Sequence, residues 1–488
     1  PDYAEVLVNL GVVLRQQGRP DEAASHFERA LTLRPDLVQV HKHLGNALSS
    51  QGKFAEAAAR FRQAIAMQPG YATAHNNLGD VLRKLGETEE AIACFERALT
   101  LEPNFAEAHN NLGGMLDHLG RLEEALASYA RALALRPNYP EVLQNLATAR
   151  LKQGLLESAA EDYRRALALR PDFPEAELGV AVCALLKGDY ERGWHAYEAR
   201  LRIGQVVPKT SVPRWRGEPL AGRTLLLVAE QGLGDTIQGI RYAGEFQAQG
   251  VRVALAIPDS LRPLLSSYRD FDEFFLPAQS KTAIAADYSL PLLSAPGALG
   301  SNDATIPSKV PYLFANADLT AHWRRELARI EGFRIGIAWQ GSRDFFADVW
   351  RSIPLAQFAP LAALEDVRLV SLQIGFGTEQ IRAVDFPLVD LADRLDETAG
   401  TFMDTAAVMQ NLDLVVTSDT AIAHLAGALG VPVFVALQLV PDWRWQLERE
   451  DSPWYPTMRL FRQTTLGDWP EVFRRMACAV EARRLETA

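Results

Sequence analysis

From Asn77 to Ala98 the chain reads NLGDVLRKLGETEEAIACFERA. Apolar residues fall three and four apart on both sides of Gly86, with Leu78, Val81, Leu82 and Leu85 before it and Ala91, Ile92, Phe95 and Ala98 after it, so two amphipathic helices joined at a glycine turn are predicted. The pattern returns every 34 residues, with Leu10-Gly11, Leu44-Gly45 and Leu112-Gly113 matching Leu78-Gly79 and turn glycines at Gly18, Gly52, Gly120, Gly154 and Gly188. Prolines at Pro1, Pro35, Pro69, Pro103, Pro137 and Pro171 mark the edges of six units. The second helix of each unit carries a small residue four before an aromatic, as in Ala23/Phe27, Ala57/Phe61, Ala91/Phe95, Ala125/Tyr129 and Ala159/Tyr163. A helical pair this short cannot bury its apolar face alone, so such units stack into a superhelix. The sixth unit drifts, with Val180, Gly193 and Arg200 where the others have Leu, Ala and Ala, as fits a unit that adapts the array to another domain.

This is the signature that identifies tetratricopeptide repeats, whose arrays bind extended polypeptide along their concave face. Asn9, His43, Asn77, Asn111 and Asn145 recur at the repeat period, just before the patterned leucine of each first helix; Gly179 breaks the series. An amide offers a donor and an acceptor, matching a peptide backbone whatever its side chains. The series resembles the asparagine ladder of the O-linked N-acetylglucosamine transferases, which implies that Asn9, Asn77, Asn111 and Asn145 bind a protein acceptor. The competing expectation is that these amides bond within or between repeats.

With 488 residues, 48% hydrophobic and 23% charged, the chain has room for two or three domains with sizeable cores. A net charge of −11 without a Lys/Arg run argues against nucleic acid and anionic membrane as partners. Cys94, Cys183 and Cys478 lie far apart in apolar helical contexts without metal-ligand spacing, so buried free thiols and a reducing cytoplasm are expected. The most apolar stretch, 412–440, is interrupted by Asp413, Asp419, His424 and Pro432, and no membrane span is expected. The sequence begins at Pro1, within the array, so a targeting segment would lie upstream of it.

After repeats over 1–202, residues 203–222 read as a linker with Pro208, Pro213, Trp215, Gly217 and Pro219. Strands alternating with helices then fill 223–320 and 321–488, beginning at Thr224–Ala229 and Arg334–Trp339. Alternation of this kind implies parallel sheets, hence two Rossmann-like lobes with ligands at the carboxyl ends of the strands.

Three strand ends carry candidate chemistry. Gly232-Leu233-Gly234-Asp235-Thr236 lets backbone or substrate approach closely and aims Asp235 at the cleft, although Asp235 with Gln238 also reads as a helix cap. Thr417-Ser418-Asp419-Thr420-Ala421-Ile422-Ala423-His424 opens a helix whose N-terminus suits a diphosphate, with Asp419 toward sugar hydroxyls; the plainer alternatives are an N-cap and a core histidine. Trp339-Gln340-Gly341, with Trp339 at a strand end where it is expected to bind the donor, precedes a loop in which Arg351 could neutralise a departing phosphate or remain a solvated charge, and Gln373 ends the next strand, where it could face a nucleotide. The aromatic tail Asp442-Trp443-Arg444-Trp445 with Asp451-Ser452-Pro453-Trp454-Tyr455-Pro456 could stack on a sugar or base, or pack against its lobe. Asp270-Phe271-Asp272 has the spacing of a metal-binding pair but lies in a first-lobe loop away from the diphosphate site, and no metal is expected.

These residues resemble glycosyltransferase family 9, the heptosyltransferases, in the form fused to tetratricopeptide repeats. The likeness spans 224–480 and rests on Gly234-Asp235, on Asp419-Thr420 with His424-Leu425-Ala426, and on Gly430 with Pro432. It implies a GT-B fold, metal-independent inverting transfer from a nucleotide-sugar, Asp235 as general base, Asp419 on donor hydroxyls, and Thr420, Ala421 and His424 on the diphosphate. It also implies that the helix over 470–484 crosses back onto the first lobe. Ala421 stands where the family has glycine, and Arg351 where it has lysine before a tryptophan and proline. The fused repeats imply a protein acceptor, as in similar enzymes that modify flagellin. The alternatives are a binding scaffold without turnover, or a transferase acting on glycan or lipid.

Overall fold

The computed structural model describes residues 2–204, 210–268, 273–275, 285–342 and 348–487. Its contacts divide the chain into one unit of residues 1–151 with 155–173 and a second of 152–154 with 174–488.

The first unit is an all-α superhelix of paired helices: α1 Asp2–Gln16, α2 Pro20–Leu33, α3 Val38–Ser50, α4 Phe54–Met67, α5 Ala72–Leu85, α6 Thr88–Leu101, α7 Ala106–His118, α8 Leu122–Leu135, α9 Pro140–Lys152 and α10 Leu156–Leu169. Two glycines recur in each of the first four repeats, and the fifth has Ala147 in place of the first of them. A methyl on Gly45 would stand 2.7 Å from Cε1 of Phe61, so the bare backbone of α3 is what lets the aromatic of α4 lie against it. Gly52, at φ +77, makes the left-handed turn between them. Leu44, Ala57 and Phe61 are fully buried in the core these contacts enclose.

The second unit joins α11 Pro174–Leu186 and α12 Tyr190–Tyr197, the sixth repeat, to two parallel α/β lobes. Its departures from the repeat pattern have a physical cause. Arg200, 3% exposed, lies between Tyr197 and Glu230, donating to the Glu230 carboxylate at 2.7 and 3.2 Å and to Ser294 Oγ at 2.8 Å. Trp194 Nε1 donates to Ser301 O at 2.7 Å, and Tyr190 Oη to Asp303 at 2.9 Å. The last repeat is thereby fastened to the first lobe by buried polar contacts as well as by packing.

In the first lobe, β1 Thr224–Val228, β2 Arg252–Ala256, β3 Glu273–Phe275 and β4 Tyr288–Pro291 form a four-stranded parallel sheet in the order β3-β2-β1-β4. In the second, β5 Phe333–Ala338, β6 Val367–Ser371, β7 Leu388–Val389, β8 Leu414–Ser418, β9 Val433–Leu437 and β10 Met458–Arg462 form a six-stranded parallel sheet in the order β10-β9-β8-β5-β6-β7. Leu225, Leu226, Val415 and Val416 are fully buried, as both faces of a parallel sheet require. β1 runs through a short turn into α13 Leu233–Gly239, and β8 into the helix Ala421–Ala428. These two strand ends position the site.

Two expectations need correction. The closing helix, Trp469–Thr487, does not lie on the first lobe: Val472, Phe473, Met476 and Val480 are buried in the second-lobe core with Ile335, Leu355 and Phe358, whose ring centroid is 4.5 Å from that of Phe473. Cys478 lies on the other side of that helix and is exposed, whereas Cys94 and Cys183 are buried. Asp270 and Asp272 fall outside the described residues. Among the described residues no helix is long and apolar enough to cross a membrane, and no group of three or more His, Cys, Asp or Glu stands ready to hold a metal ion.

Candidate functional site

The turn after β1 brings Asp235 to the third position of α13, where its Oδ2 accepts from the backbone N–H of Gly232 at 2.9 Å. A cap forms, but one turn earlier than expected: Gly232 is the N-cap, serving through its backbone, with Asp235 three residues on, and Gln238 instead accepts from Arg444. The other carboxylate oxygen faces the second lobe, where Oδ1 accepts from Nη2 of Arg444 at 2.5 Å. Burial raises the Asp235 carboxyl, with Arg444 pulling it back down and Asp442 adding to the rise.

The turn after β8 places Thr420 as the N-cap of the helix Ala421–Ala428 and His424 on its first full turn. Gly234 lies directly against this helix start. A methyl there would stand 2.8 Å from Cδ2 of His424 and 3.2 Å from Cα of Ala421, so the two strand ends meet only because the residue is glycine. His424 is buried, its Nδ1 is 3.1 Å from Tyr455 Oη, and its ring stacks on Trp445 at 5.4 Å. Burial, with Arg444, Arg241 and Arg351 nearby, holds its imidazole well below the ordinary value, so it is neutral. Thr420 Oγ1 lies 3.4 Å from Thr417 Oγ1. Burial and the neighbouring Asp442 push Asp419 up to about 6, against the pull of Arg351 and Arg444. The fields of Arg351 act on Asp235, Asp419 and His424 together, so this residue belongs to the cluster.

Arg444 is the member that sequence reasoning missed. It is 5% exposed, donates to Asp235, to the side chain of Gln238 and to Asp442, and stacks on Trp443 at 4.5 Å. The signal lies in Asp442-Trp443-Arg444-Trp445, a charged segment following a third strand end, that of β9, whose aromatics draw attention away from its guanidinium. Arg241 was also unforeseen. Arg241, buried, lies over the rings of Tyr455 at 4.4 Å and Tyr312 at 4.7 Å and donates to Trp454 O at 2.5 Å, tying the first lobe to the second.

Two proposed donor contacts do not join this cluster. Trp339 is fully buried in the second-lobe core, with Nε1 donating to Gly377 O at 3.2 Å. Gln373 accepts from the N–H groups of Trp339 and Gln340, each at 3.1 Å, and donates to Gln340 O and Phe376 O at 3.2 and 2.8 Å. Its amide is fully used in tying the turn after β6 to that after β5, which leaves no hydrogen-bonding capacity for a nucleotide.

In the first unit the amide series forms a between-repeat network. Asn77 donates to Asn46 at 2.9 Å, Asn111 to Asn76 at 3.0 Å and Asn145 to Asn110 at 3.0 Å, each reaching into the repeat before it. Asn76 donates in turn to Asn77 Oδ1 at 3.3 Å. One donor of each rung therefore serves the array itself. Asn9 is exposed, and His43 instead stacks on Phe27 at 5.6 Å.

Tetratricopeptide repeat families match residues 43–100, 81–140 and 145–205, and, in a second form, residues 2–70; the first part of the chain is a tetratricopeptide array. Protein FlbA of Caulobacter vibrioides is 28% identical over 319 residues, covering 59% of this chain and 52% of its own length. The chain thus spans about half of that relative. Among solved structures, a thermophilic TPR protein of Thermus thermophilus is 27% identical with a TM-score of 0.34, over 37% of this chain and 99% of its own. The pilF protein of Pseudomonas aeruginosa is 22% identical with a TM-score of 0.38, over 42% of this chain and 94% of its own.

Proposed function

We propose that the chain is an inverting glycosyltransferase of GT-B type that moves a sugar from a nucleotide-sugar to a protein acceptor held by the repeats, with flagellin as one candidate acceptor. The observation that carries this reading is the meeting of two strand ends from separate lobes, which gathers Asp235, Asp419, His424, Arg351 and Arg444 into one cluster. Open α/β sheets bind ligands at such ends. Asp235 takes the acceptor hydroxyl proton as the oxygen attacks the anomeric carbon, and the bond to the nucleoside diphosphate breaks on the opposite face. Arg351 and the N-terminus of the helix Ala421–Ala428 stabilise the charge on the departing diphosphate without a metal, and neutral His424 offers it a hydrogen bond. Donor entry requires the contact between Gly234 and Ala421 to open, so lobe separation and closure gate the cycle.

One observation favours a second reading, a scaffold that binds a nucleotide-sugar without turnover: both carboxylate oxygens of Asp235 are already hydrogen-bonded. Release of nucleoside diphosphate from a panel of nucleotide-sugars separates the two. Transfer predicts release that falls by about a hundredfold or more in Asp235→Asn. Binding without release, or release that Asp235→Asn leaves unchanged, contradicts it.

A further inference from the structure

A cavity of about 590 Å³ opens in the second unit between α12, the segment 214–217 and the turn 297–302. It is separate from the Asp235 cluster: Trp194, on its wall, backs onto Trp443 at a centroid distance of 5.1 Å, and it is Trp443 that carries Arg444. Its size is that of a small-molecule site.

Trp194, Trp215, Leu290 and Ala298 form its apolar lining, with Trp194 only 6% exposed and stacked on Tyr190 at 5.6 Å. Trp194 Nε1 is satisfied by Ser301 O and Trp215 Nε1 by Glu218 O, each at 2.7 Å, so what the indoles can offer a ligand is ring surface and not hydrogen bonds. Trp215 is half-buried, held edge-to-face against Phe246 at 6.1 Å. Gly297 lies directly against Trp194, where a methyl would stand 2.9 Å from its Cβ. Hydrogen-bonding capacity comes from the rim, where Glu191 and His195, one helical turn apart on α12, are exposed and bonded to nothing among the described residues. Arg214 is neutralised by its ion pair with Glu198, and the charge of Arg216 is balanced by nearby Glu218. A site with an accessible aromatic face on Trp215, an unpaired carboxylate and imidazole, and no excess positive charge suits a ring with an apolar face and several hydroxyls, and disfavours phosphates and other anions.

We propose that this cavity binds an uncharged saccharide, with a pyranose ring against Trp215 and its hydroxyls on Glu191 and His195. The inference concerns binding alone and stands whether or not Asp235 acts as a base. It is tested on the full chain by saturation-transfer NMR with maltose, cellobiose and N,N′-diacetylchitobiose, beside the tripeptide Gly-Trp-Gly. The expected result is transfer to at least one disaccharide, with affinity reduced about tenfold or more by Trp215→Ala and by Glu191→Gln, and retained in Asp419→Asn. Near-ultraviolet circular dichroism checks the fold of Trp215→Ala; if that variant is misfolded, Glu191→Gln on the exposed rim decides alone. Transfer to none of the disaccharides, transfer that survives in the folded rim and wall variants, or transfer to the tripeptide only, overturns the proposal.

Discussion

Nη2 of Arg444 stands 2.5 Å from Oδ1 of Asp235, an ion pair that crosses from the second lobe to the first and fixes the direction of the carboxylate proposed to act as base. Because Oδ2 is held by the Gly232 N–H, both oxygens have defined positions before any ligand binds. Burial raises this carboxyl and Arg444 opposes the rise. Removing the cation in Arg444→Gln lets the value climb, so the base is protonated over more of the acid range. The acid limb of the kcat/KM profile should then move to higher pH by roughly one unit, with partial recovery in Arg444→Lys. An unmoved limb would reduce Arg444 to a structural contact.

The buried pair of Arg200 and Glu230 anchors the sixth repeat to the first lobe. Arg200→Ala leaves Glu230 charged and unpaired, which should cost the second unit about 3–5 kcal/mol in denaturant unfolding. Replacing both partners by apolar residues of similar volume should cost much less. A loss below about 1 kcal/mol in the single variant would show that the pair contributes little to that unit.

Asp419 gives a stability signature independent of activity. Its folded value of about 6 lies above the ordinary carboxylate range, so the folded chain holds this proton more tightly than the unfolded chain. The stability linked to it is present at low pH and is lost as pH rises through the folded value. Asp419→Asn, which removes the buried charge, should raise the melting temperature at about pH 7.5 and leave it nearly unchanged at about pH 3, below the unfolded value. A destabilised variant at the higher pH would place Asp419 in a favourable ion pair instead.

The amide network predicts a stability effect in the repeats. Asn111→Ala removes the donor to Asn76 and should cost about 0.5–1.5 kcal/mol, because Asn76, almost fully buried, loses that partner. Thermal unfolding of the variant tests this, and no change would mean that the network does not stabilise the array.

The repeats were legible because their code is local and redundant: Gly45 against Phe61 and Gly52 at a left-handed turn recur unit after unit. The strands of the lobes were legible as apolar runs, except β10, whose Arg459 and Arg462 interrupt the pattern at a sheet edge, and β7, which is two residues long. Gly234-Asp235 and Asp419 with His424 could be found because each follows a strand end closely. Arg444 could not be assigned from spacing, since its partner lies 209 residues away and a guanidinium in a loop is ordinarily solvated. Trp339 and Gln373 misled for the opposite reason: both stand at strand ends, yet one is core and the other ties two turns together. Position at a strand end selects candidates, and only burial and partners divide ligand contacts from scaffolding.

Transfer of sugar to protein is tested most directly by the intact masses of proteins from cells expressing this chain or its Asp235→Ala variant. An added sugar mass on at least one protein, present with the intact chain and absent with the variant, is the predicted result; identical masses in both, from a chain that binds nucleotide-sugar, would contradict it.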